Sequence, residues 1–203
     1  MPKSAERCQE IREQTRELIV SKSMLYFARN GFAGTKISDL ARYIGIGQGT
    51  IYQYFESKES LYQEVCKFIN REEYVQQIVL LSALPLSAKE KIHIMSKVIL
   101  QQLEEADDYA AVIALNTQAL FEQGADNSSF DTTYQSELYR YTAAIIEQGQ
   151  KEGSVVSGSS LKLADYYWGV VYLYSLKKLF TTNYEMISGE DLDRTLLNGK
   201  DEG

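Results

Sequence analysis

Apolar residues recur at three- and four-residue intervals through most of the chain. Ile19, Ser23, Met24 and Phe27 form one stripe of a helix predicted from about Glu6 to Asn30. Gly31 supplies its stop, and Phe32 packs after it. A short second helix places Ile37, Leu40, Ala41 and Ile44 inward, with Thr35 as its N-cap and Gly45 as its turn. A third runs from near Gln48 to Tyr54 and turns Ile51 and Phe55 to the core. "SKESLYQEVCKFI" opens the fourth. Ser57 is its N-cap, Ser60 holds the place where a capping box has Glu or Gln, and the pattern carries it to about Ser82. Pro85 and Ser87 open a helix from Ala88 to Glu105, and "DDYAAVIALNTQALFEQ" predicts another that ends at Gly124. Phe130, Tyr134, Leu138, Tyr141 and Ile145 mark the next stripe. "KEGSVVSGSS" reads as a loop with an extended turn at Val155 and Val156. A long helix from Leu161 to about Thr182 and a short one near Asp191 to Leu197 complete the chain. No long run alternates β-branched with polar residues, so the fold class is all-α.

Composition narrows the function. With 203 residues, 44% of them hydrophobic, the chain can bury the core of one large domain or two small ones. No apolar run reaches the roughly 18 residues that span a bilayer. The polar N-terminus has no signal-peptide core, which sets a cytoplasmic expectation. Cys8 and Cys66 lie far apart without a CxxC, so no disulfide framework is expected. His93 is the only histidine and has no ligand cluster around it, so no metal site is expected. No nucleophile–base pair, phosphate loop or dinucleotide fingerprint occurs, so the expectation is a protein without cofactor and not an enzyme. The net charge of −7 is uneven: residues 1–70 carry +2 and residues 71–203 carry −9. A locally basic N-terminal face remains compatible with nucleic acid.

The chemistry concentrates in "GIGQGTIYQYF", residues 45–55. Glycine inside a helix costs roughly 1 kcal/mol relative to alanine, so these glycines need a reason. Two short helices separated by "GIG" suggest a helix-turn-helix, with Gly45 in the left-handed turn. Gly47 and Gly49 begin the second helix, where bare backbone N–H groups can approach a phosphate. Gln48, Thr50, Tyr52 and Tyr54 project from it. Glutamine can bond the edge of adenine bidentately, a threonine methyl can touch thymine, and tyrosine hydroxyls reach phosphates.

Residues 27–65, "FARNGFAGTKISDLARYIGIGQGTIYQYFESKESLYQEV", resemble the TetR-type transcriptional regulators. The resemblance is carried by Phe27, Gly31-Phe32, Thr35, Leu40-Ala41, Gly45-Ile46, Gly49, Tyr52, Phe55, Lys58 and Leu61 at the family's spacing. It implies an N-terminal three-helix DNA-binding domain, residues 1–56, followed by a larger helical effector-binding and dimerisation domain, residues 57–203. It implies a repressor that binds a palindromic operator as a homodimer and is released by a small molecule. By the same resemblance Gln48, Gly49, Thr50, Tyr52, Tyr54 and Lys58 contact DNA, Thr35, Lys36 and Ser38 meet its backbone, and the helix beginning at Ser57 links the two functions. Gly47 stands where the family usually has Ser, Thr or Ala, which removes a hydroxyl from that DNA-facing position.

The C-terminal part supports these roles through its apolar surplus. In "LKLADYYWGVVYLYSLKKLF", residues 161–180, Leu161, Ala164, Trp168 and Val171 form one stripe, and Leu163, Tyr167, Val170 and Tyr174 another. A surface helix needs only one. A twofold interface built on Leu163, Tyr167, Val170, Val171 and Tyr174 is one explanation, and a fully buried central helix is the other. Tyr109, Phe121, Tyr134, Tyr167 and Trp168 are candidates to line an effector pocket. Rings and net acidity favour an apolar effector that is neutral or cationic. Two alternatives stay open: a TetR-like DNA-binding protein without effector, and a helical interaction or enzymatic module whose helix-turn-helix is structural.

Overall fold

A computed structural model describes residues 2–69, 73–126 and 137–199; within these helices, the side chains at 2–5, 69, 73, 74, 116 and 118–126 are outside the description. The chain divides into two compact units, Met1–Arg71 and Glu72–Gly203.

The first unit contains α1 (Pro2–Asn30), α2 (Ile37–Ile44), α3 (Gln48–Tyr54) and α4 (Lys58–Ile69). α1 packs on α2 and α4, and α2 packs on α3. The expected stripe of α1 is inside: Ile19, Ser23, Met24 and Phe27 are buried together with Leu40, Ile51, Leu61 and Val65. Phe27, Phe32 and Tyr62 form a ring cluster, with the Phe32 and Tyr62 centroids 4.5 Å apart and Phe27 edge-on to Tyr62 at 5.3 Å. α4 starts on a reciprocal box in which the Ser60 amide donates to Ser57 Oγ and the Ser57 amide to Ser60 Oγ, both at 3.1 Å. Serine thus does the work usually given to Glu at N3.

One expectation is revised here. Thr35 does not cap α2; its hydroxyl donates back to the Gly31 carbonyl at 2.7 Å, and Lys36 occupies the cap position without a side-chain bond. α4 packs on α1 and so belongs to the first compact unit. The helix expected from Ser57 to Ser82 is described as α4 and α5, on either side of residues 70–72, which lie outside the described residues.

The second unit contains α5 (Glu73–Ala83), α6 (Ala88–Glu105), α7 (Asp107–Asp126), α8 (Glu137–Glu152), α9 (Ser160–Phe180) and α10 (Gly189–Asp193). α9 packs on α7, α8 and α6, while α5 packs on α8 and α6. Ser87 and Glu90 form a full capping box at the start of α6. Lys91 is buried but paired, donating to the Ser82 carbonyl at 2.7 Å and to Gln148 Oε1 at 2.9 Å. The expected extended turn is present as an antiparallel bridge between Val155 and Leu197. α10 is fastened to α6 by His93 Nδ1 and Asp193 Oδ2 at 2.9 Å. Gly149 lets α8 approach this region: a Cβ there would lie 2.3 Å from Val155 Cγ2 and 2.9 Å from Ala88 Cβ. Phe130 and Tyr134, the first half of the stripe expected before α8, lie outside the described residues.

Candidate nucleic-acid interface and ligand cavity

The turn between α2 and α3 forms for a local reason. Gly45 sits at φ 85°, in the left-handed region, and its amide closes the end of α2 on the carbonyls of Ala41 and Arg42. Gly47 then occupies the extended cap position of α3. Ile51 is fully buried and Phe55 nearly so, which anchors one face of α3 and fixes its rotation. The opposite face is open: Gln48, Gly49, Tyr52 and Gln53 are exposed, Tyr52 at 48%. Thr50 is half-buried.

The remaining expected contacts divide. Lys36 and Ser38 are exposed at the start of α2. Thr35 is buried, with its hydroxyl committed to the end of α1. Tyr54 is half-buried, with the Arg12 guanidinium 6.0 Å from its ring centroid. Lys58 is half-buried and donates to the Phe32 carbonyl at 2.9 Å and to the Thr35 carbonyl at 3.1 Å. Gln53, one turn after Gly49, and Arg42, one turn after Ser38, were outside the expected set but are exposed on these helices. Their spacing from expected residues was the available signal.

The second unit holds a cavity of about 560 Å³, open to solvent on one side, between α5, α6, α7, α8 and α9. Its walls are mostly aliphatic, including Ile78, Leu81, Met95, Ile99, Val112 and Leu138. Leu80, Leu84, Ile94 and Val98 belong to the same lining and are exposed. Polar groups are few: Gln77, Gln102, Tyr109, Thr117, Tyr139, Asp165 and Tyr172. Of the expected ligand residues, Tyr109 and Trp168 line the cavity. Trp168 Nε1 donates to Thr142 Oγ1 at 3.1 Å, which fixes the indole. Tyr167 does not line it; its hydroxyl shares a 3.0 Å hydrogen bond with Ser96 Oγ in the core, and burial pushes the phenol well above its usual range. Tyr134 and the Phe121 side chain lie outside the described residues.

The expected interface residues also need correction. Leu163, Tyr167 and Val171 are buried within their own unit, so none of them presents a side chain to a partner. Val170 and Tyr174 are half-buried. The open apolar positions of α9 are Tyr166 at 62%, Leu173 at 49% and Phe180 at 56% exposure, spaced on the face that carries Val170. Among the described residues no group of three or more His, Cys, Asp or Glu could hold a metal ion, and no helix is long and apolar enough to cross a membrane.

Residues 17–65 match the model for bacterial regulatory proteins of the tetR family. Over 107 residues the chain is 29% identical to YerO of Bacillus subtilis, an uncharacterised HTH-type transcriptional regulator, covering 50% of this chain and 35% of YerO. Over 91 residues it is 29% identical to the HTH-type transcriptional repressor BepR of Brucella suis biovar 1, covering 45% of this chain and 42% of BepR. The chain therefore spans less than half the length of these curated relatives. The crystal structure of AibR in complex with isovaleryl coenzyme A and operator DNA shares the fold, with a TM-score of 0.61 and 11% identity over 88% of this chain and 94% of AibR. Residues 17–65 are therefore similar to the helix-turn-helix segment of bacterial regulatory proteins of the tetR family.

Proposed function

We propose that the protein is a DNA-binding transcriptional repressor that acts as a homodimer on a palindromic operator and leaves it when a small molecule enters the cavity. The observation that carries the proposal is the geometry of α3. Ile51 and Phe55 lock one face of the helix into the core, and Gln48, Gly49, Tyr52 and Gln53 face outward. Such a helix can lie in a major groove and offer bond-forming groups to base edges. Lys36 and Ser38 are available to the phosphate backbone. BepR is a named repressor, and AibR is a protein of this fold that binds operator DNA and isovaleryl coenzyme A, which supports a DNA-binding role beside a small-molecule site.

In this reading the first unit reads DNA, and the second receives the effector and pairs with its copy. The cavity volume falls within the roughly 300–1,000 Å³ of small-molecule sites. That volume favours an effector-controlled regulator over one without effector. The exposed residues of α9 supply an apolar surface for a self-complementary twofold contact. Release requires that the effector prefer the conformation that does not fit the operator, since equal affinity for both states shifts nothing. The test is selection from random duplex DNA by the full chain, followed by titration of candidate effectors into the selected complex. Enrichment of a twofold-symmetric sequence supports the proposal, and enrichment of none overturns it.

A further inference from the structure

We infer, building on the reading that the cavity receives the effector, that its ligand is a neutral amphiphile: its head gives a hydrogen bond to Gln102, and its alkyl body runs out between Leu80 and Leu84 on one side and Ile94 and Val98 on the other. Gln102 lines the cavity, and its Oε1 is buried without a hydrogen-bond partner among the described residues. A buried amide oxygen left unpaired is destabilising, and a donor brought in by a ligand removes that cost. The neighbouring polar lining differs: Tyr109, Tyr139 and Asp165 each already interact with a neighbour. A hydroxyl or a primary amide supplies the donor that Oε1 lacks, and a carboxylate supplies none. A charged head would need an opposite charge beside it, which an amide oxygen does not provide.

The shape of the lining sets the body of the ligand. Ile94, Val98 and Gln102 are spaced four residues apart and form one row along α6. At about 1.5 Å per residue the row covers about 12 Å, the reach of an alkyl chain of about eight to ten carbons with its head. Exposure falls along it: Ile94 and Val98 are open to solvent, while Gln102 Oε1 is sealed. Leu80 and Leu84, four apart on α5, belong to the same lining and are also exposed. Four aliphatic side chains on two helices thus rim the opening, and Met95 and Ile99 line the cavity beside the row. An alkyl chain laid along this row takes its own methylenes and the exposed side chains out of water together, while its head reaches the buried oxygen.

Trp168 is the single tryptophan of the chain and lines the cavity, so its fluorescence reports binding there. The full chain is titrated with 1-octanol, with the ether of equal size 1-methoxyheptane, and with octanoate and octylammonium. The expected result is a saturable change at about tenfold lower concentration of the alcohol than of the ether, with the charged chains weaker than the alcohol. Across the alcohols from butanol to dodecanol, affinity should rise about three- to fourfold per methylene and level off at about eight to ten carbons. Gln102→Leu should keep the wild-type circular dichroism and bind alcohol and ether equally, whereas Leu84→Ser should weaken both and keep their ratio. Should Gln102→Leu not fold, the wild-type preference for alcohol over ether decides. Equal binding of the two by the wild type, or an alcohol preference that survives in Gln102→Leu, overturns the assignment of Gln102 and leaves the cavity as a ligand site. Tighter binding of either charged chain overturns the neutral head. If no compound perturbs Trp168, the cavity reading fails together with the inference.

Discussion

The ammonium of Lys58 donates to the Phe32 carbonyl at 2.9 Å and sits 4.3 Å from the centre of the same residue's ring. A second bond, to the Thr35 carbonyl at 3.1 Å, ties the first turn of α4 to the connection between α1 and α2. A lysine expected to meet phosphate is thus committed first to holding the helix-turn-helix together. Lys58→Met leaves both carbonyls without this donor, and we expect it to destabilise the protein by about 1–3 kcal/mol in chemical denaturation. It should weaken binding to all DNA sequences alike. Wild-type stability with only a flattened salt dependence of DNA binding would assign Lys58 to phosphate alone.

Acid should loosen the contact between α1 and α4. Glu64 accepts from Lys67 at 2.8 Å and pairs with Arg16, which also lies 5.2 Å from the Phe55 ring centre. The hydrogen bonds from Lys67 and then Arg16 hold the Glu64 carboxyl below its ordinary value of 4.5. A depressed folded-state value means that the stabilisation is complete above 4.5 and is lost as pH falls through the lower folded value. Glu64→Gln should reduce the loss of stability on moving from about pH 6 to about pH 3. The effect will be modest because the side chain is 26% exposed. An unchanged pH profile in the variant would show that this pair contributes nothing.

Substitutions along α9 should separate core from interface. Val171→Glu places a charge in a fully buried site and should abolish folding, seen as lost helical circular dichroism. Leu173→Glu and Phe180→Glu lie on the open face and should leave the fold intact while converting a dimer to monomers in sedimentation. A wild-type protein that sediments as a monomer, or a Leu173→Glu protein that remains dimeric, would remove α9 from the interface.

Gly149 tests the packing of the second unit. Alanine there drives a methyl into Val155 and Ala88, and the neighbouring bridge to Leu197 must shift. Overpacking of this kind costs typically about 1–3 kcal/mol. A melting temperature equal to or above that of the wild type would contradict the close approach.

Much of the helix-turn-helix was legible because its signals are local. Gly45 marks the turn, Ile51 and Phe55 mark the inner face, and the predicted span from Gln48 to Tyr54 is the observed α3. Ser57 and Ser87 likewise announce their helices by reach alone. Thr35 misled because a hydroxyl can cap the next helix or bond the preceding one, and neighbouring carbonyls decide. The rotation of α9 was not legible at all. Leu163 and Leu173 are chemically alike, and only the positions of α7 and α8 turn the first inward and leave the second open. The cavity wall was hidden for a related reason, since Gln102 and Asp165 come together only through the packing of α6 with α9.

The most direct test of the DNA-reading role is the affinity of the full chain for DNA selected from a random pool, compared between wild type and Gln48→Ala at one fixed salt concentration. We expect a twofold-symmetric site with half-sites about 34–36 Å apart or a multiple of that spacing. Gln48→Ala should weaken binding to it by about 1–3 kcal/mol and relax preference at one base pair in each half-site. Selection that enriches no sequence, or a selected site that Gln48→Ala binds with wild-type affinity and preference, would contradict the assignment of α3 as the reading helix.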